Sequence, residues 1–282
     1  MALTRKVVLE ATPAEVWHMV ATGPGLSSWF VPHELEPRKG GRGRADFGGG
    51  TYAEGRVLVY QPGKRIVFGS ERIARDVGAE PDHEPDARME FWIAADGHDD
   101  PAEFPGGAFR GIGDVRGRRR KPGTPRTTLY FRQQGFPEEG QEVYEEGWDL
   151  YFYTLTEYFR HFRGKTALTT SALVVAPVER KEAFATVAKA LGVDGDADEG
   201  DRLSLRAGRR SEVDGVVDLR MSANHIEALG VRGDTGFLRL AADESCGVAL
   251  TRFEYVVDPP PDFARVREEA GELQGWLEQQ FA

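Results

Sequence analysis

The sequence lacks the residues and runs that would mark several classes of protein. Cys246 is the only cysteine among 282 residues, so an intramolecular disulfide and a thiolate metal cluster are both excluded. No apolar run approaches the roughly 20 residues that a membrane-spanning helix needs. The first residues are not followed by the apolar core of a signal peptide. We therefore expect a cytoplasmic protein with no membrane insertion.

Familiar catalytic signatures are missing as well. The chain shows no Ser-His-Asp arrangement, no paired-carboxylate signature and no dinucleotide fingerprint, although a site assembled from distant residues is not excluded by this. The glycine-rich string from Gly40 to Gly50 lacks the Gly-Lys-Ser/Thr ending of a phosphate loop, and it predicts a β-hairpin turn instead. We expect no cofactor, and the sequence leaves open whether the chain is an enzyme.

The charge of the chain argues against nucleic acid as a partner. The net charge is −10, whereas binding to phosphates requires a basic face. Residues 1–165 carry 23 Lys and Arg against 25 Asp and Glu, and residues 166–282 carry 13 against 21. This asymmetry favours two structural units, which we place at 1–165 and 166–282.

The first unit opens with a strand and a capped helix. Leu3 to Glu10 predicts a strand, and Thr12 with Glu15 forms a capping box ahead of Pro13, which suits the first turn of a helix. We predict this helix over Pro13–Thr22. After the break at Gly23-Pro24-Gly25, a second short helix is predicted over Leu26–Phe30.

Alternating segments then predict an antiparallel sheet, and a long aromatic helix closes the unit. Nine apolar strand residues are expected to face this helix: Val57, Val59, Ile66, Phe68, Met89, Phe91, Ile93, Leu129 and Phe131. The helix is predicted over Gln141–Phe162, with its aromatic residues on one broad stripe. The insertion 96–126, which contains the basic run Arg116–Lys121, has no sustained periodicity and predicts a long loop. The fold class is therefore α+β.

The second unit repeats this order. A strand over Leu173–Val175 leads to a helix start at Pro177, five strand candidates follow, and a closing helix carries Phe263 to Leu277 at spacings of three and four. A degenerate tandem repeat explains the matching order best. The alternative is a generic α+β tail that packs against the first unit.

Four features of the first unit resemble the SRPBCC (START-like) superfamily over about residues 4–165: the run Ala11 to Trp17, the pair Trp29-Phe30, the stretch Thr128 to Pro137, and Glu146-Gly147-Trp148. Within it they resemble the branch of the activator of the heat-shock chaperone ATPase and of polyketide cyclase-like proteins. The resemblance implies the helix-grip fold, in which a curved antiparallel sheet wraps around a long C-terminal helix. It also implies a cavity for a hydrophobic ligand.

From this resemblance we predict an aromatic-lined, ligand-binding cavity in the first unit. Its lining is predicted to contain eight residues: Trp17, Trp29, Phe30, Phe68, Phe91, Phe131, Trp148 and Phe152. Close packing of the same residues in a solid core is the alternative, because protein interiors are generally filled.

Other polar residues are weaker candidates. His18 and His33 could act as a general acid or base at a pocket mouth, and Arg132 or Glu54 could assist, although a solvated surface histidine is the simpler interpretation. The segments His33-Glu34 and Asp82–Glu84 lack helix-spaced metal ligands, so we predict no metal site.

Two functions remain open. The first is binding of a small hydrophobic or aromatic ligand in the aromatic cavity, with or without cyclase-like catalysis there. The second is a protein-interaction module that acts through its surface on a chaperone or another protein, as the chaperone activator does. A third arrangement would hold a ligand or partner between the two units.

Overall fold

The computed structural model describes residues 2–74, 87–95, 110–112, 123, 125–135, 141–193, 195–244, 247–257 and 263–282. Three of the sequence features lie outside these residues: Asp82–Glu84, the basic run Arg116–Lys121, and Cys246.

The first half alternates helices with a large sheet. Its elements in chain order are β1 (Leu3–Leu9), α1 (Pro13–Ala21), α2 (Gly23–Ser27), β2 (His33–Leu35), β3 (Arg42–Gly48), β4 (Thr51–Gln61), β5 (Arg65–Ala74), β6 (Arg88–Ala95), β7 (Arg110–Ile112), β8 (Thr127–Gln134) and α3 (Gln141–His161). Sheet A has the strand order β2-β3-β4-β5-β6-β8-β1-β7. Its pairs are antiparallel except β1 with β7. Within the predicted loop 96–126, residues 110–112 therefore form an edge strand.

The second half contains a smaller sheet between helices. Its elements are β9 (Thr166–Val174), α4 (Arg180–Ala190), β10 (Arg202–Ala207), β11 (Ser211–Ser222), β12 (Ile226–Gly233), β13 (Gly236–Asp243), β14 (Gly247–Val256) and α5 (Phe263–Glu278). Sheet B has the order β10-β11-β12-β13-β14-β9 and is antiparallel throughout. It curls as a half-barrel against the C-terminal helix α5. The α+β class is confirmed.

The capping box at the start of α1 is present as predicted. The Glu15 amide donates to Thr12 Oγ1 at 3.3 Å, and the Thr12 amide donates to Glu15 Oε2 at 2.8 Å. Arg163, which follows α3, donates from Nε to Glu15 Oε1 at 2.6 Å. The Arg163 guanidinium is the main reason that the pKa of Glu15 falls to about 2. The first helix start is thus tied to the end of the long helix.

Helix α2 begins three residues earlier than predicted, and the prediction over Leu26–Phe30 is wrong. The Gly25 amide donates to Thr22 Oγ1 at 3.0 Å, so Thr22 caps a helix whose first turn contains Pro24. A β-carbon on Gly25 would lie 2.0 Å from the His18 carbonyl oxygen, so only glycine permits this close approach to α1. The Gly-Pro-Gly sequence therefore starts a helix here, and Trp29 and Phe30 follow it in a turn.

Two further expectations need correction. Helix α4 starts at Arg180, and the side chain of its N-cap residue Glu179 makes no capping bond. The prediction that the helix starts at Pro177 is therefore wrong. In β4, the pairing with β5 shifts register between Val57 and Val59. Because a β-bulge reverses the side-chain alternation beyond it, Tyr60 packs against the core in the position expected for Val59.

Helix α3 is buried on two faces because it lies between the sheets. One face, with Trp148 and Phe152, belongs to the core of sheet A. The other, with Leu150 and Tyr153, packs against Leu219, Ile226 and Ala228 of sheet B. The core of sheet A continues into the second half of the chain. Phe162 stacks there on Tyr255 of β14, with ring centroids 4.3 Å apart. The two halves share one interior, and the predicted unit boundary at 165/166 stays a prediction.

A buried ion pair anchors this contact. Arg239 and Asp218 are only 4% and 6% exposed, and they form two parallel hydrogen bonds of 2.8 and 2.7 Å. Arg239 also donates to Thr154 Oγ1 at 3.3 Å, and the Tyr153 hydroxyl donates to the Asp218 carbonyl oxygen. The pair therefore connects α3 to β11 and β13.

We expect Asp218→Asn to destabilise the protein by about 3–5 kcal/mol, because it leaves the buried Arg239 charge uncompensated. Since α3 belongs to both cores, unfolding in urea should remain one transition. Glu212→Gln is the control, because the salt bridge of Glu212 with Arg206 is exposed and should contribute less than about 1 kcal/mol. A loss no larger than that of the control would contradict this role of the pair.

The Glu15 interactions predict a pH dependence of stability. Because the folded protein holds the Glu15 pKa near 2, below its ordinary 4.5, the stabilisation is complete above about pH 4.5 and is lost as the pH falls towards 2. Glu15→Gln should cost about 1 kcal/mol near pH 7, since the pair is partly exposed and screened. Thermal unfolding between pH 7 and pH 2.5 should show this cost shrinking. The matched variant Glu54→Gln, whose partner is Arg44 on the sheet surface, should lack the effect attributed to the helix cap.

Candidate functional site

An aromatic cluster fills the space between sheet A, α2 and α3. It contains seven of the eight predicted lining residues, linked by neighbouring ring centroids 4.2 to 6.5 Å apart. Those seven are Trp29, Phe30, Phe68, Phe91, Phe131, Trp148 and Phe152. Such separations suit offset-stacked and edge-to-face ring contacts. Residues from five separate segments of the chain are thus brought together.

The rings of this aromatic cluster fall into two layers. Trp29, Phe91, Phe131 and Phe152 are fully buried. Phe30 and Trp148 are 5% and 6% exposed, and Phe68 is half-buried. The inner layer is close-packed core, and the remaining exposed ring surface of the cluster belongs to the outer layer.

Trp17 lies apart from the other predicted lining residues. Its ring packs on Tyr60 at 5.5 Å, at the margin of the same core. Trp17 is on α1, and the bulge in β4 turns Tyr60 towards it. No contact between the rings of Trp17 and Trp148 is found among the described ring contacts.

Two residues of the outer layer were not predicted. Tyr151 meets Phe30 edge-on at 4.4 Å, and Phe47 meets it at 5.8 Å. Both are half-buried. Tyr151 belongs to the predicted aromatic stripe of α3, so its position could have been inferred. Phe47 lies in the glycine-rich β3–β4 hairpin, where no periodic pattern marks it.

The second half of the protein fixes the Trp29-Phe30 segment. Thr169 of β9 donates to the Ser27 carbonyl oxygen at 2.5 Å, and Tyr255 of β14 donates to that of Ser28 at 2.6 Å. The Ala167 amide donates to Ser28 Oγ at 3.3 Å. These three bonds reach the two residues that precede Trp29, whose own indole N–H donates to the Met19 carbonyl at 2.9 Å. The α2 wall of the aromatic cluster is held by sheet B.

Polar groups lie at the α3 N-terminal end of the cluster. Gln133 faces inward from β8 and accepts a hydrogen bond from the Trp148 indole N–H. Arg5 faces the same way from β1, is 2% exposed, and donates to Asp149 at 2.6 Å and to Glu145 at 3.3 Å. The buried guanidinium is thus balanced by two carboxylates of α3.

His33 lies at the outer layer, at the start of β2. Its ring centroid is 5.1 Å from that of Phe30, and its Nδ1 is 2.7 Å from the Val31 carbonyl oxygen. Burial lowers the pKa of His33 to about 4, although the bond to Val31 acts in the opposite direction. The imidazole is therefore neutral near pH 7.

The remaining polar candidates are not part of the cluster. Arg132 is on the opposite face of sheet A, where it pairs with buried Glu90 at 2.9 Å. Glu54 pairs with Arg44 at 3.0 Å on the surface, and His18 lies on α1. No group of three or more His, Cys, Asp or Glu with metal-binding geometry occurs among the described residues.

A separate cleft of about 230 Å³ opens at one end of sheet B. Its lining is mainly polar and includes Asp214, Asp234, Arg252 and Glu254. This lining differs in chemistry from the aromatic cluster. No helix within the described ranges is long and apolar enough to cross a bilayer.

Comparison with known proteins gives similarities to solved structures alone. No model of a known protein family matches the chain, and no curated protein matches it. The Aha1 dimer from Colwellia psychrerythraea is 13% identical at a TM-score of 0.39, covering 58% of this chain and 99% of that one. CalU16 from Micromonospora echinospora is 15% identical at 0.38, covering 56% and 75%. DynU16, from the dynemicin biosynthetic locus, is 14% identical at 0.40, covering 99% and 95%.

We expect Tyr255→Phe to destabilise the protein by about 1–3 kcal/mol, because it leaves the buried Ser28 carbonyl oxygen without its donor. Urea denaturation followed by tryptophan fluorescence measures the loss. Tyr60→Phe is the matched control, since no hydrogen bond of the Tyr60 hydroxyl is found among the described residues. Equal stability of the two variants would show that the bond from sheet B does not hold α2.

Proposed function

We propose that the protein binds a small hydrophobic or aromatic molecule against the outer layer of the aromatic cluster. The observation that carries the proposal is the group of incompletely buried rings around Phe30, namely Phe47, Tyr151 and Trp148. Small-molecule sites are typically apolar and aromatic, with a few polar groups that orient the ligand.

The packing behind these rings favours binding. The inner rings are fully buried, and Phe152 is stacked on Trp29 at 5.6 Å and on Trp148 at 5.5 Å. A wall that is already ordered loses little conformational entropy when a ligand packs on it. The three hydrogen bonds from β9 and β14 hold the α2 part of this wall in the same way.

The topology also supports a degenerate tandem repeat of the helix-grip fold. In each half the first strand pairs with the last one, β1 with β8 and β9 with β14. Each half has a helix after its first strand and ends in a helix that packs on its own sheet. We propose that both halves derive from one plan, and that the first half carries the ligand site.

Protein interaction through the surface stays a prediction. It was motivated by the resemblance to the chaperone activator and by the basic run Arg116–Lys121, and that run lies outside the described residues. A chaperone as the partner also stays a prediction.

The proposal is tested with 2-methoxynaphthalene as the probe. Titration should quench tryptophan fluorescence saturably, because Trp148 lies in the outer layer. Tyr151→Ala should weaken binding about fivefold, since a ring contact contributes roughly 1 kcal/mol. Trp276→Ala, which removes a half-buried aromatic residue from the core of sheet B, should leave the affinity unchanged if the variant is folded by circular dichroism.

Two results would contradict the proposed site. One is the absence of saturable binding to the wild-type protein. The other is an equal loss of affinity in Tyr151→Ala and Trp276→Ala, which would indicate a general effect on stability.

A further inference from the structure

His33 is held at the edge of the outer layer by hydrogen bonds with Ser27 and Val31. Its amide donates to Ser27 Oγ at 2.9 Å, and its ring nitrogen Nδ1 lies 2.7 Å from the Val31 carbonyl oxygen. The imidazole therefore has a fixed orientation beside Phe30.

The contact with Val31 determines which nitrogen carries the proton. A carbonyl oxygen only accepts hydrogen bonds, so Nδ1 must be the donor. In the neutral imidazole Nε2 is then an acceptor with a free lone pair. The pKa of His33, lowered to about 4 by burial, keeps this neutral form at pH 7.

Nε2 is available to a ligand. Within the described part of the chain Nε2 makes no hydrogen bond. It is also not one of the fully buried side-chain atoms that have no hydrogen-bond partner. The His33 side chain is half-buried, and its ring centroid lies 5.1 Å from that of Phe30.

We propose that Nε2 of His33 accepts a hydrogen bond from a hydroxyl group of an aromatic ligand bound beside Phe30. The inference rests on the proposed function and narrows its ligand to hydroxylated aromatic molecules. A neutral acceptor offers no bond to a carbonyl and does not favour a carboxylate. A ligand without the donor would leave Nε2 desolvated and unpaired, which lowers its affinity.

The experiment compares 2-naphthol with its methyl ether, 2-methoxynaphthalene, on the full-length protein at pH 7. The ether keeps the oxygen and the ring system but lacks the proton. One hydrogen bond to a neutral group should make 2-naphthol bind about tenfold more tightly.

The variants assign this preference to His33. His33→Phe keeps a ring beside Phe30 and should bind both compounds with about equal affinity. His33→Gln provides an amide oxygen as acceptor and should retain part of the preference, so it also serves if His33→Phe does not fold.

The outcomes separate the two levels of the proposal. Binding of both probes by the wild type without a preference overturns the role of His33 and leaves the aromatic site intact. A full preference that persists in His33→Phe overturns it too. If neither probe binds to the wild-type protein, the proposed function is overturned, and this inference with it.

Discussion

The architecture depends on burying α3 from two sides. A helix with apolar residues on one stripe needs one partner surface, but α3 presents Trp148 and Phe152 to sheet A and Leu150 and Tyr153 to sheet B. Neither sheet alone would cover it. The polar groups on the second face would be costly to bury unpaired, and the Arg239–Asp218 pair satisfies them through Thr154 and the Tyr153 hydroxyl. Burial of one helix thereby makes the two halves interdependent.

Much of the fold could be predicted from local patterns. The capping box, the long helix and the five strand candidates after Pro177 are all present, because caps and side-chain periodicity act within a few residues. The misplaced starts of α2 and α4 have a local cause too: proline signals a helix start only when a cap precedes it, as Thr22 does for Pro24. The second buried face of α3 could not be inferred, since its partners are more than 60 residues away in the chain.

The candidate site was predictable in composition more than in geometry. Seven of eight predicted lining residues meet, because period-two alternation assigns strand faces correctly wherever the ladder is regular. The β4 bulge interrupts that rule, so Tyr60 faces the core and becomes the neighbour of Trp17. Phe47 was missed because a glycine-rich hairpin carries no periodic signal. The position of His33 depends on its own backbone contacts, which sequence spacing does not encode.

The second half has a structural consequence for the site that a simple repeat would not require. The segment carrying Trp29 and Phe30 follows a helix of only five residues, too short to be stable by its own hydrogen bonds. Its order must come from tertiary contacts, and three of these are hydrogen bonds from β9 and β14. A first half separated from sheet B would lose them together with the partner of the second α3 face. The aromatic wall therefore depends on the whole chain, even though every ring in it belongs to the first half.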